Sequence, residues 1–199
     1  MADKFLAASR LRPDGVIGYH CALEIHGYNY SEWHMAQVIA PGQPKLHVTP
    51  RITCRFVVPR TPFDPSSKED VVSIDRLGLE VKVTTLERTI VDLFDRYDLA
   101  GGIDELFNSL SLINRIHEGR LVNQVRALAN ASAAGAIGFW LEQAELNVSH
   151  ETLDALRTLA PKTLRYALGT RRGEGRAVRA WRVILPERLV EQGFEGTQT

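Results

Sequence analysis

The segment Val81-Lys82-Val83-Thr84-Thr85-Leu86-Glu87-Arg88-Thr89-Ile90-Val91-Asp92-Leu93 changes its period halfway along. Up to Val83, apolar and charged residues alternate, the pattern of a strand with one buried face. From Leu86 onward, Leu86, Ile90, Leu93, Phe94 and Tyr97 recur at helical spacing and form one apolar stripe. Thr84-Thr85-Leu86-Glu87 between them fits a capping box, in which the threonine hydroxyl and the glutamate three residues on satisfy each other's backbone donors. A strand therefore runs directly into a capped helix, and the chain on either side keeps to that division.

Upstream the reading is mostly extended. A short helix from about Gly18 to Ile25 is ended by His26-Gly27, where glycine can take the left-handed cap conformation. His34 to Ala40 and Arg51 to Val58 are β-branched, apolar and bounded by prolines, which suits strands. Pro59 to Asp70 holds Pro59, Pro62 and Pro65 and reads as an irregular surface loop. Val71 to Ile74 and Leu79 to Val83 make a hairpin across Asp75-Arg76-Leu77-Gly78. Downstream the reading is helical. Gly101-Gly102 breaks the first helix; Ile103, Leu106, Phe107 and Leu110 start a second. Leu121, Val125 and Leu128 mark a third, and Ile137, Trp140, Leu141 and Ala144 a fourth. Ser149 caps a fifth, which carries Leu153, Leu156 and Leu159 before Pro161 stops it. Thr163 to Leu168 and Ala180 to Leu185 are strand-like around a Gly/Arg loop.

This order predicts an α+β fold. A mixed or antiparallel sheet carries a helical segment packed on it, and a C-terminal β-hairpin is expected to pair with the early sheet. No linker stands out, so residues 1–199 form one domain or two closely packed lobes, a strand-rich 1–83 and a helix-rich 84–199 with the terminal hairpin.

The 199 residues are 44% hydrophobic and 24% charged, an ordinary globular composition. Met1 to Asp14 has no apolar run behind its basic residues and is not a signal peptide. No apolar stretch approaches the roughly 18 to 20 residues that cross a bilayer. The expectation is a cytoplasmic protein with no membrane association. Cys21 and Cys54 are too few for a disulfide framework and read as small core residues. A net charge of zero argues against a general polyanion binder, yet the charge is unevenly placed. Lys162 to Arg188 holds eight positive residues against Glu174 and Glu187 alone.

Three stretches carry a family resemblance. Gly15-Val16-Ile17-Gly18-Tyr19-His20-Cys21-Ala22-Leu23-Glu24-Ile25-His26-Gly27 is similar to the opening helix of the C-terminal domain of the AbiEi antitoxins. Val81 to Leu93, followed by the Gly101-Gly102 break, is the most specific of the three. Trp181-Arg182-Val183-Ile184-Leu185-Pro186 resembles their closing strand. The resemblance implies an antitoxin of a type IV toxin–antitoxin system of the abortive-infection kind, which serves phage defence. Its partner would be a nucleotidyltransferase-like toxin encoded beside it. Family members often carry an N-terminal winged helix-turn-helix that binds their own promoter. Only about fourteen residues precede the opening helix here, so no such module is expected, and the chain is either a short member or a fragment.

Glu87, Arg88 and Asp92 read as structural, with Thr84 as the cap. Arg88 with Asp92, and Asp92 with Arg96, stand one helical turn apart and can pair. Asp75 with Glu80-Val81-Lys82 superficially matches the carboxylates and lysine of a restriction-type nuclease, but a solvated hairpin face accounts for it. His20 and Glu24, with His26 or Cys21 near, lack the distant cluster that a metal site needs. No phosphate-cradling glycine motif is present, and Ser66 and Ser67 lie outside any nucleophile elbow. The Gly-Ser and Asp-x-Asp signature of the toxins is also missing. No catalytic residue, metal or cofactor is expected. Gly169-Thr170-Arg171-Arg172-Gly173-Glu174-Gly175-Arg176, extended by Arg179 and Arg182, is the candidate binding feature, since arginine forks suit carboxylate and phosphate alike. The expectation is a non-enzymatic antitoxin. The alternative is a DNA-binding transcription regulator of its own operon.

Overall fold

The computed structural model describes residues 3–50, 52–144 and 146–195. They form eight helices and nine strands in an α+β arrangement. The chain divides into two compact units, Met1–Ile113 and Asn114–Thr199. The change of character at Thr84 is therefore not the boundary, because the first helices after it stay with the strands.

The first unit is built on a six-stranded mixed sheet. Its strands are β1 (Val16–Ile17), β2 (Met35–Ile39), β3 (Lys45–Val48), β4 (Thr53–Val57), β5 (Val71–Arg76) and β6 (Leu79–Thr84), in the order β3-β4-β2-β1-β6-β5. β5 and β6 are the expected hairpin, with Asp75 opposite Glu80 and Ser73 opposite Lys82. The strand from Arg51 begins at Thr53, and Arg51 itself lies outside the described residues. β2 is central and buried on both faces over Ala36 to Ile39. Its polar member, Gln37, is satisfied: Oε1 accepts from the Cys21 backbone N–H at 3.3 Å and Nε2 donates to the Leu99 carbonyl at 2.8 Å.

Helix α1 (Lys4–Leu11) was not expected. Asp3 caps it by accepting from the N–H groups of Phe5 and Leu6. Phe5 and Ala8 enter a core with Ile17, Ala36, Val38, Cys54, Phe56, Val81 and Val83. The short β1 and the edge strand β3 were missed as well. Helix α2 (His20–His26) ends at Gly27 in the left-handed conformation, as its sequence predicts. Helix α3 (Leu86–Asp95) packs on α2, and a 3₁₀ turn (Tyr97–Ala100) leads to α4 (Ile103–Leu110).

The second unit holds α5 (Glu118–Leu128), α6 (Ala131–Gln143), α7 (His150–Leu159) and α8 (Glu187–Glu195). Ser149 caps α7, accepting from the Thr152 N–H. Three short strands, β7 (Arg165–Tyr166), β8 (Arg176–Val178) and β9 (Val183–Leu185), make a separate sheet in the order β7-β9-β8. This corrects the expectation that the terminal hairpin joins the early sheet: β9 instead pairs parallel with β7 and antiparallel with β8. Val183 and Leu185 are buried on the side of α6. There Gly135 and Gly138 let the backbone of α6 approach; a Cβ on Gly138 would lie 2.1 Å from the Trp181 ring. Trp181 is fully buried and donates from Nε1 to Glu142 at 2.6 Å. Arg157 lies over its ring and pairs with Glu142 and Asp154.

Candidate functional site

The start of α3 works differently from the capping box read in the sequence. Thr85 is the cap, its hydroxyl accepting from the Arg88 N–H. Thr84 belongs to β6, and its hydroxyl meets that of Thr89 at 2.7 Å. The His26 ring donates from Nε2 to the Thr84 carbonyl at 2.8 Å, which ties α2 to this junction. Burial lowers the His26 pKa against the raising effect of that bond.

Arg88 is fully buried, and it organises the loop between β4 and β5. Its Nε donates to Asp92 at 2.8 Å, and its Nη1 donates to the Pro62 carbonyl at 2.8 Å and to Asp70 at 3.2 Å. The Phe63 ring lies 5.2 Å from the guanidinium carbon. The expected irregular loop is therefore irregular but fastened from within. Burial raises the Asp92 carboxyl to about 6, outweighing the attraction of Arg88, with Asp70 and Asp95 adding repulsion. Arg96 does not pair with Asp92; it turns outward to Asp98 at 2.8 Å. Thr84, Glu87, Arg88 and Asp92 are all buried, so they are placed to hold the fold together.

A second polar cluster was only half visible in the sequence. His20 and Glu24 do meet, Nδ1 to Oε1 at 3.2 Å, but the third member is Glu105 of α4, 3.0 Å from Nε2. Neither His26 nor Cys21 takes that place. Trp33 stacks on the imidazole at 4.3 Å between centroids, and Lys4 pairs with Glu24 at 2.5 Å and donates to the Trp33 carbonyl. Burial would raise the Glu105 carboxyl, but hydrogen bonds from His20 and the Ser31 N–H hold it below the ordinary range. Both ring nitrogens of His20 are thus engaged by carboxylates. Among the described residues no group of three or more His, Cys, Asp or Glu is placed to hold a metal. Cys21 and Cys54 are buried, and burial pushes their thiols up to about 12 and about 11, far from the thiolate form a nucleophile needs.

Asp75, Glu80 and Lys82 lie exposed on one face of the β5–β6 hairpin. Glu80 accepts from the Ser73 hydroxyl at 2.7 Å and Asp75 from the Gly78 N–H in the turn. Local bonds account for both carboxylates.

The basic C-terminal segment is only partly one surface. Arg171, Arg172, Arg176 and Arg179 are exposed. Arg182 is not equivalent to them: it is half-buried, has a left-handed backbone (φ 54°), and donates to the Arg157 carbonyl at 2.8 Å. The strand expected from Ala180 begins only at Val183, because residues 178–182 form a turn. Trp181 N–H bonds back to the Val178 carbonyl and Arg182 N–H to the Arg179 carbonyl. Arg165, one of the eight positive residues of this segment, is exposed at the start of β7, and the tyrosine beside it escaped the sequence reading. Tyr166 accepts at its hydroxyl from the Gly173 N–H at 3.3 Å, which ties the glycine-rich loop to the sheet.

No family model and no curated protein matches this chain. The fold is similar to that of the RV2827C protein from Mycobacterium tuberculosis, whose crystal structure aligns over 99% of this chain and 72% of that one, with a TM-score of 0.69. The two sequences are 12% identical, so the likeness is one of fold. No helix among the described residues is long and apolar enough to cross a membrane.

Proposed function

We propose that this chain is a cytoplasmic antitoxin that neutralises a nucleotidyltransferase-like toxin encoded beside it, and that it does so as a binding protein and not as an enzyme. One observation carries the reading. Thr84, Glu87, Arg88 and Asp92, from the most specific stretch of the family resemblance, are buried, whereas Arg171, Arg172, Arg176 and Arg179 of the C-terminal segment are exposed. Such a loop suits recognition: its glycines let the cationic side chains adapt to a carboxylate or phosphate partner. Co-expression tests it. Cells producing the neighbouring toxin should recover growth when this chain is supplied.

A second reading is a DNA-binding regulator of its own operon, favoured by the excess of eight positive residues over two negative ones from Lys162 to Arg188. Phosphate binding by that segment would weaken steeply as salt rises. A mobility shift on promoter DNA, repeated at increasing salt, separates it from the first reading.

A further inference from the structure

We infer that this chain pairs with a second copy of itself along the outer edge of β3, antiparallel and in a register centred on His47. The pairing goes beyond the antitoxin and DNA-binding readings and requires neither a toxin nor a nucleic acid.

The chemistry of the strand is symmetrical about that residue. Pro44-Lys45-Leu46-His47-Val48-Thr49-Pro50 sets an apolar residue, a polar residue and a proline in the same order on either side of His47. A second copy running the opposite way therefore meets like with like: Leu46 faces Val48, Lys45 faces Thr49, and Pro44 faces Pro50. β3 ends the six-stranded sheet, and β4 is its one neighbouring strand among the described residues. Leu46 and Val48 are 56% and 64% exposed, and two residues apart on a strand they point to one face. Neighbouring large apolar side chains on an open edge are a template for pairing with another chain.

The backbone selects the same register. In an antiparallel ladder, alternate residues turn both N–H and C=O towards the neighbouring strand, and those between turn theirs away. Thr49 donates its N–H to the Ile52 carbonyl at 2.9 Å, so the backbones of His47 and Lys45, in step with it, also face β4. Leu46 and Val48 are left with their N–H and C=O directed outward. Setting Leu46 opposite Val48 bonds both residues in both copies. A shift of one residue sets Leu46 against groups already committed to β4. A shift of two sets Leu46 or Val48 against a proline, which has no N–H to give. The prolines also end the ladder, and pairing of identical edges about a two-fold axis closes at two copies. A strand this short contributes fewer residues than the roughly 20 to 30 per side of a standard interface, so the dimer is weak and forms with concentration.

The test uses the full chain. Sedimentation velocity from about 1 to about 200 µM should pass from monomer to dimer, as a dissociation constant on the order of 10 µM requires. Val48→Lys should weaken self-association at least about tenfold, because the two-fold axis counts each substitution twice. Its melting at about 1 µM, where both proteins are monomeric, should match the wild type, since Val48 is exposed. Should Val48→Lys fail to fold, Leu46→Lys takes its place. The register is read by cross-linking in a Cys54→Ala background, because Cys54 stands opposite His47 within the sheet. His47 meets its counterpart at a non-hydrogen-bonded site, about 4.5 Å between Cα atoms and within disulfide reach. His47→Cys should therefore give a disulfide-linked dimer under mild oxidation. Lys45→Cys, about 14 Å from its counterpart along the paired strands, should not. The pairing is overturned by a wild type that stays monomeric throughout the range, by a Val48→Lys protein that dimerises as the wild type does, or by His47→Cys cross-linking no faster than Lys45→Cys.

Discussion

Arg88 and Asp92 stand one turn apart on α3, Nε to Oδ2 at 2.8 Å, and both are buried, at 0% and 3% exposure. The same guanidinium reaches the Pro62 carbonyl and Asp70, so one side chain fastens an irregular loop to a helix and to the strand that follows the loop. Removing one partner of a buried ion pair strands the other in low dielectric, a cost of about 3 to 5 kcal/mol. Arg88→Ala should lose that much in chemical denaturation, and Arg88→Lys should recover little of it, since an ammonium cannot reproduce the fork. Unchanged stability in Arg88→Ala would show that the pair is not what secures the loop.

The carboxyl of Asp92 provides a pH signature. Its folded pKa, about 6, lies above the reference value of 3.8. The folded state therefore binds the proton more tightly than the unfolded state, and this group's contribution falls as pH rises from about 4 to about 6 and then levels off. Asp92→Asn lacks the titration and keeps an acceptor for Arg88. Relative to wild type it should gain about 1 to 3 kcal/mol of stability between pH 4 and pH 7. A stability difference that is flat across this range would refute the assignment.

In the second unit the close approach of α6 to Trp181 makes Gly138 critical. Its alanine variant would place a methyl 2.1 Å from the indole. Overpacking of this kind costs about 1 to 3 kcal/mol, and the buried, hydrogen-bonded ring has little room to retreat. Tryptophan fluorescence during denaturation should report an earlier transition for Gly138→Ala.

The exposed hairpin trio is expected to be dispensable. Glu80→Ala and Lys82→Ala should leave both melting and toxin neutralisation as in the wild type, because both side chains are exposed and Glu80 makes only a local bond to Ser73. Loss of activity with an intact fold would revive the nuclease-like reading.

Local signals were legible in the sequence wherever one residue type has one structural use. Gly27 closes α2, Ser149 caps α7, and the β5–β6 hairpin forms where expected, although its turn is Leu77-Gly78 alone and Asp75 and Arg76 belong to β5. The periodicity of α3 to α7 likewise survives in the structure. Two kinds of information were hidden. The first is displacement by a single residue: two adjacent threonines offered two caps, and packing against β5 and α2 fixed Thr84 in the strand and left Thr85 to the helix. The second is long-range pairing. Nothing local tells His20 that Glu105 will meet it, or Arg88 that Pro62 and Asp70 will. The terminal sheet combined both problems. A turn at residues 178–182 delayed the last strand to Val183, buried Trp181 and withdrew Arg182. The exposure of Tyr166 follows only once β7 is paired with β9. Asp3, by contrast, was a readable cap that went unused, and with it α1.

The most direct measurement of the central claim is growth of cells that produce the neighbouring nucleotidyltransferase-like toxin, with and without this chain. The account predicts that the wild-type chain restores growth and that Arg171→Glu/Arg172→Glu, folded and equally abundant, does not. Continued arrest in the presence of abundant, folded wild-type chain would contradict it.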